Sequence, residues 1–335
     1  MASGAKWDPR FAAAGRGVVT DVDHDLTSDE VADKFREYIS GKTVVITGCS
    51  SQSLGAEAAR CIAQHGTKRL ILASRSESRM RQVIECIRLS SELACEIIPV
   101  EMDLSSQQSV RSAAAEVLKL APAIDILINS AAACMIPKYT TTPEGIEMTF
   151  GTNHIGHFLF TNLLMPALLA SANARVVNVT SFGHQFSNVR FDDINFDNGK
   201  SYEPFLAYAA SKSGNLLFTL GLAMKLGKTN LRAIATDPGS VQTGINRLVT
   251  KEESILRGWS LPDGQPNPAI KWTTPAKGVA SYIKAAYDPD LANKNGVAIT
   301  AGGMDQSIAA YALDREGAER LWELSEKLVG QTFEY

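Results

Sequence analysis

The 335-residue chain is poor in the residues that staple a small fold or bind metal, with only five cysteines and five histidines. The cysteines, at 49, 61, 86, 95 and 134, are odd in number, and no two stand as Cys-x-x-Cys. Buried reduced thiols in a cytoplasmic protein are therefore expected, not a disulfide framework. His154 and His157 lie three apart with no further ligand group beside them, so no metal site is expected. There is no cationic excess: 33 Lys and Arg against 36 Asp and Glu leave a net charge of −3. That balance argues against nucleic acid or an anionic membrane as partner, since both select basic surfaces. No run reaches the ~18 apolar residues of a membrane span. The nearest, Phe158 to Ala170, is broken by Thr161, Asn162 and Pro166. The opening MASGAKWDPRF lacks the basic-then-apolar order of a secretory signal.

What is present suits one large globular unit, with 45% hydrophobic and 21% charged residues. Residues 1–27 read as a loose arm. Thr27-Ser28-Asp29-Glu30 then opens a helix, with apolar Val31, Phe35 and Ile39 at four-residue steps, ending at Gly41. From residue 43 short β-branched runs alternate with helical stretches. The runs are 43–47, 69–73, 96–101, 124–129, 175–180, 231–236 and 296–300. The helical stretches are about 55–65, 76–90, 106–120, 144–170, 205–226, 275–287 and 313–329. The runs are apolar on consecutive residues, as strands are when helices cover both faces. The predicted fold is thus α/β: a doubly wound, mostly parallel sheet in a single domain spanning 41–335, behind an arm and helix at 1–40. Pro99 lies in the third run and has no N–H for a ladder. It therefore belongs on an edge strand, which suits the order 3-2-1-4-5-6. Two long connections, about 182–206 and 240–274, leave the carboxyl ends of strands, where such sheets bind ligands. The second carries Trp259 and Trp272, which fit either a lid over an apolar substrate or scattered surface aromatics.

The first run ends in Thr47-Gly48-Cys49-Ser50-Ser51-Gln52-Ser53-Leu54-Gly55, directly before a helix. A turn there aims backbone N–H groups and a helix N-terminus at one spot, which suits a pyrophosphate. This turn resembles the Thr-Gly-x-x-x-Gly-x-Gly element of the short-chain dehydrogenase/reductases. It is one residue longer than that pattern, with Gln52-Ser53 where the middle glycine is expected. The resemblance implies a nicotinamide dinucleotide held by Gly48, Ser50, Ser53, Leu54 and Gly55. Ser74 and Arg75 follow the second run, where an acid would bond a ribose 2′-hydroxyl; a hydroxyl and a guanidinium instead suit a 2′-phosphate. NADP(H) is thus favoured over NAD(H). Asp103-Leu104 resembles the family's adenine-contacting pair, and Asn129-Ser130-Ala131-Ala132 its Asn-Asn-Ala-Gly turn. Asp237-Pro238-Gly239 with Val241 and Thr243 resembles its Pro-Gly turn beside the nicotinamide.

Tyr208 and Lys212 stand four apart on a predicted helix, one turn from each other. An ammonium so placed would lower the pKa of a phenol that is ordinarily near 10. Ser181 ends the fifth run, and Asn153 lies in Asn153-His154-Ile155-Gly156-His157-Phe158. In order and context these four match the family's Asn, Ser, Tyr and Lys. The separation 208 − 181 = 27 suits the retinol-dehydrogenase-like branch, and the stretch from Tyr311 to Ser325 resembles the tails of fungal members. The resemblance implies hydride transfer, with Tyr208 as general acid/base, Ser181 on the substrate oxygen, Lys212 tuning Tyr208 and binding the nicotinamide ribose, and Asn153 anchoring a water; Tyr208 and Lys212 thus also count among the cofactor-binding residues.

The function expected is an NADP(H)-dependent oxidoreductase interconverting an alcohol and a ketone or aldehyde on a lipophilic small molecule. A retinoid, a steroid, or a polyketide or terpenoid of secondary metabolism would fit. A non-redox lyase or isomerase, and a catalytically silent nucleotide-binding protein, are the alternatives; oligomeric state is left open. Cys134 and Met135 fit either a substrate wall or the core. His184 is read as a loop histidine facing solvent, and His154 and His157 as facing packed helix surface. The glycosylation pattern Asn178-Val179-Thr180 is discounted because it falls in a central strand.

Overall fold

A computed structural model describes residues 25–90 and 94–335. The expected arm therefore lies, up to residue 24, outside the described residues. Strands β1 (Thr43–Thr47), β2 (Arg69–Ser74), β3 (Glu96–Glu101), β4 (Ile126–Asn129), β5 (Arg175–Val179) and β6 (Arg232–Thr236) run parallel. After a small parallel pair, β7 (Ser240–Val241) and β8 (Trp272–Thr273), the chain adds β9 (Val297–Thr300) beside β6 and the antiparallel β10 (Gly303–Met304). The sheet order is β10-β9-β6-β5-β4-β1-β2-β3. Pro99 sits on the edge strand β3, opposite Leu72.

Consecutive apolar residues in each strand feed two separate layers. Val45, Leu127, Val176 and Ala233 join one cluster, while Val44, Ile46, Ile128, Val177 and Ile234 join the other. The first layer is covered by α4 (Gln107–Leu120), α5 (Gly156–Leu163), α6 (Pro204–Leu226) and α9 (Arg315–Val329). The second is covered by α1 (Ser28–Lys34), α2 (Leu54–Gln64), α3 (Glu77–Leu89) and α8 (Pro275–Tyr287). Thr27 and Glu30 form a reciprocal capping box at α1, and Val31, Ala32 and Ile39 enter the second layer. The cysteines are unpaired; three are buried, Cys95 is partly exposed and Cys86 is exposed.

The stretch read as one helix over 144–170 is instead composite. A turn at Met148–Phe150 passes into a π-helical turn at Gly151–Ile155, then α5, and a break at Leu164 precedes Met165–Leu169. A 3.6-residue apolar period does not distinguish a π-turn, which inserts a single residue. Gly156, where α5 begins, touches the backbone that follows β3: a Cβ there would lie 2.3 Å from the Leu104 carbonyl oxygen. Gly156→Ala must push this helix off the sheet edge. We expect a loss of about 2 kcal/mol or more, read as a lower denaturation midpoint at unchanged m-value.

The two long connections contain short ordered pieces. The first holds a 3₁₀ turn, Phe182–Phe186, and the second holds a 3₁₀ turn, Gly244–Asn246, and a helix, α7 (Lys251–Leu256). No described helix is long and apolar enough to cross a membrane.

Candidate active site

The carboxyl ends of β1, β2, β4, β5 and β6 open onto one cleft of about 530 Å³. Its walls include Gly48, Ser50, Ser53, Leu54, Gly55, Ser74, Arg75, Asp103, Leu104, Ser130, Ala131, Ser181, Tyr208, Lys212, Pro238, Gly239, Val241 and Thr243. Asn129 and Asn153, also singled out by sequence, stand behind the wall. The Asn129 amide donates to Thr161 Oγ1 at 2.9 Å and Asn178 Oδ1 at 2.8 Å, so it ties β4 to its neighbours.

The lengthened glycine turn closes on Ser53. Its hydroxyl donates to the Gly48 carbonyl at 2.8 Å and accepts from the N–H groups of Ser50 (3.2 Å) and Ala56 (3.0 Å), which makes it the N-cap of α2. Ser53 thus organises the loop that a glycine would leave free, and the extra residue, Gln52, takes a left-handed backbone (φ 62°). Gly48 (φ 81°) lies so near the β4 turn that a Cβ would meet Ala131 Cα at 2.6 Å. The N–H groups of Leu54 and Gly55, first in an 11-residue helix, have no acceptor among the described residues. A helix N-terminus with free donors and this close backbone approach fit a pyrophosphate.

At the end of β2, Arg75 and Arg79 flank the cleft, both exposed and without a carboxylate partner among the described residues. The nearby Glu77 is turned away, accepting from Arg81 Nε at 2.8 Å. Arg79 was not singled out by sequence, although its place one turn into α3 puts it on the same side as Arg75.

At the other end Tyr208 and Lys212 project from α6, and Ser181, which follows β5, stands beside the Tyr208 ring across Gly183. Lys212 Nζ donates to the Val179 carbonyl at 2.9 Å and lies 5.5 Å from the centre of the Tyr208 ring. Burial pushes the Tyr208 phenol well above its ordinary range, and the same loss of water lowers Lys212 to about 8. The sequence had suggested a phenol made acidic by its lysine. Here burial of the phenol dominates, and the ammonium is held on a backbone carbonyl. Asn153 grips Ala133 from both sides, accepting its N–H at 2.7 Å and donating to its carbonyl at 2.9 Å. It also donates to Ser211 Oγ at 3.0 Å, and Ser211 in turn donates to the Tyr208 carbonyl at 2.7 Å. The π-turn places Asn153 between the β4 loop and α6.

Retinol dehydrogenase 14 of Homo sapiens is 34% identical over 307 residues, covering 87% of this chain and 87% of that protein. The chain belongs to the short-chain dehydrogenase/reductase family. The family model described as short chain dehydrogenase matches residues 42–192. Short-chain dehydrogenase/reductase prx1 of Penicillium rubens is 32% identical over 310 residues, covering 88% of this chain and 86% of its own. A crystal structure of an uncharacterised protein from Mycobacterium paratuberculosis aligns with a TM-score of 0.67 at 31% identity, covering 89% of this chain and 96% of that one. Within the family this is a retinol-dehydrogenase-like member, and so a nicotinamide-dependent oxidoreductase.

Several residues of this short-chain dehydrogenase/reductase escaped the sequence reading. Thr47 Oγ1 accepts the N–H groups of Ser130 and Ala131, each at 3.0 Å, which leaves its own proton for His157 Nε2 at 2.8 Å. His157 Nδ1 must then donate to the Asn153 carbonyl at 2.9 Å. Burial lowers this imidazole to about 4, so it stays neutral while it joins the glycine turn to the π-turn. Tyr282, from α8, lines the cleft floor and meets Ser130 Oγ at 3.2 Å. His184 is buried and does not face solvent: Nδ1 donates to the Ser181 carbonyl at 2.8 Å, and Nε2 accepts from Ala309 N–H at 3.2 Å. His154 is buried as expected, bonded to Ser325 Oγ at 2.8 Å. Asp29, Cys61 and His65 could together face a metal ion. However, Arg60 holds both Asp29 oxygens, and the Cys61 carbonyl accepts from His65 Nδ1 at 2.7 Å.

Proposed function

We propose that the protein is an NADP(H)-dependent reductase of ketones or aldehydes on lipophilic small molecules. The observation that carries this reading is the position of Tyr208. On one side of it lies the cleft that runs to Arg75 and Arg79. On the other, Tyr208 packs in an apolar cluster with Cys134, Met135, Phe186, Phe205, Ile245, Val249 and Trp259. A substrate carbonyl entering from the apolar side reaches the phenol and the Ser181 hydroxyl together.

When bound, the dinucleotide supplies the hydride to the carbonyl carbon. The free donors of Leu54 and Gly55 would hold its pyrophosphate, and Ser74, Arg75 and Arg79 its 2′-phosphate. Ser181 donates a hydrogen bond to the carbonyl oxygen and holds the charge that develops there. Tyr208 gives that oxygen its hydroxyl proton, completing the alcohol. Direction follows the poise of the coenzyme, and a preference for NADP(H) supports reduction as the working direction. Lys212 holds the foot of the site through Val179, and Asn153 fixes the Ala133 wall opposite.

The test is the loss of reduced-nicotinamide absorbance when purified protein meets a panel of apolar ketones and aldehydes with NADPH or NADH. Consumption of NADPH with stoichiometric alcohol is expected. Turnover without nicotinamide consumption would mark a lyase or isomerase and overturn the proposal.

A further inference from the structure

One cation stands in the apolar wall of the substrate end. The 242–271 segment is pinned at its root, where β7 and β8 pair through Ser240–Trp272 and Val241–Thr273. Its far end carries Arg257, just after α7. The Arg257 guanidinium lies over two rings, 4.9 Å from the centre of Phe205 and 5.9 Å from that of Trp259. Its Nη2 bonds Glu203 Oε1 at 2.5 Å, and its Nε bonds Glu253 Oε1 at 2.6 Å. The Arg257 side chain is only 14% exposed. A guanidinium so far removed from water is costly unless it is paired, and here it has a partner on each side.

Glu203 is the N-cap of α6. Its second oxygen accepts the Leu206 N–H at 2.6 Å, two residues before Tyr208. Among the described residues, Arg257–Glu203 is the only ion pair joining this segment to the rest of the fold. Among the described residues, apolar contact by Ile245, Val249 and Trp259 around Phe205 and Tyr208 adds to this hold.

We infer that Arg257 is a positioning residue for substrate binding: by pairing with the N-cap of the catalytic helix across the faces of Phe205 and Trp259, it latches the 242–271 segment over the apolar end of the cleft. This rests on the proposed function for the identity of that end as the substrate side. The planar fork is what lets one side chain pair with Glu203 and stack on two rings, which a lysine does not reproduce. Opening separates the pair and hydrates both charges. Removing either partner therefore shifts the far part of the segment toward its open form, while its root beside Thr243, pinned by β7 and β8, the glycine turn and Arg75 are untouched.

The test uses the full chain with Arg257→Met, Glu203→Gln and the double variant. Glutamine keeps an oxygen to cap α6. Three quantities are read: KM for a carbonyl substrate, NADPH affinity by fluorescence, and the rate of tryptic cleavage after Arg247 and Lys251. Each single variant should raise KM and cleavage by about tenfold while leaving NADPH affinity within about twofold, and the double variant should do no more than one single. Arg257→Lys should recover part of the loss. Unchanged KM and cleavage would overturn the latch, as would additive effects in the double variant or a parallel loss of NADPH affinity. If Arg257→Met fails to fold, Glu203→Gln decides. If the protein reduces no carbonyl compound, the proposed function falls, but the cleavage rates still decide the latch.

Discussion

Tyr208→Phe should lower the turnover number for carbonyl reduction by about 10² to 10⁴, the range that one positioned proton donor contributes. NADPH affinity and substrate KM should change by less than about threefold, since phenylalanine keeps the ring packed on Phe205 and removes only the hydroxyl. The pH dependence carries a second signature. Burial raises the phenol well above its ordinary value and lowers Lys212 to about 8. Below that value the pair is a neutral phenol beside an ammonium, which is the donor state, so reduction should be flat with pH. As pH rises through about 8 the ammonium is lost first and the reductive rate falls. Alcohol oxidation needs the phenol proton removed, and the phenol titrates well above that interval, so its rate should rise only at higher pH. Single-turnover measurements in both directions check this, and a Phe variant that kept most of the reductive rate would remove Tyr208 from the chemistry.

The sheet was legible because its physics is local. A strand covered on both faces must be apolar at successive positions, and a proline must find an edge; both statements hold for Val44, Val45 and Ile46, and for Pro99. The order of motifs also anticipated which side chains would meet: Ser181, Tyr208 and Lys212 share one cleft, with Asn153 bonded behind its wall. What the sequence hid was long-range or conformational. The π-turn at Gly151–Ile155 differs from an α-turn by one residue of winding, and the need for glycine at 156 shows only once Leu104 is seen against it. The role of Ser53 depends on where the Gly48 carbonyl points. His157 and His184 looked like surface or packing residues, because their partners, Thr47 and Ala309, lie 110 and 125 residues away. Spacing reports that Lys212 is near Tyr208, but not that burial raises the phenol or that the Val179 carbonyl holds the ammonium.

Coenzyme preference should invert at the end of β2. Glu77, the carboxylate nearest Arg75 in sequence, would disfavour a 2′-phosphate if it faced the cleft, but it is turned onto Arg81 instead. This leaves Ser74, Arg75 and Arg79 as the groups presented there. Each guanidinium–phosphate contact contributes roughly 1.5–3 kcal/mol where it is well formed, less where exposed to solvent and salt. Losing both in Arg75→Ala/Arg79→Ala should therefore weaken NADPH by about a hundredfold while changing NADH by less than about threefold. The NADPH loss should shrink at high salt, because the wild-type contacts are themselves screened. Ser74→Asp goes further, since a carboxylate there repels the phosphate and accepts from the ribose 2′-hydroxyl of NADH, so this variant should bind NADH more tightly than the wild type does. Direct titration of both coenzymes, without any substrate, isolates the effect from chemistry. Equal weakening of NADH and NADPH in the double alanine variant would mean that the two arginines support the loop and do not select the phosphate.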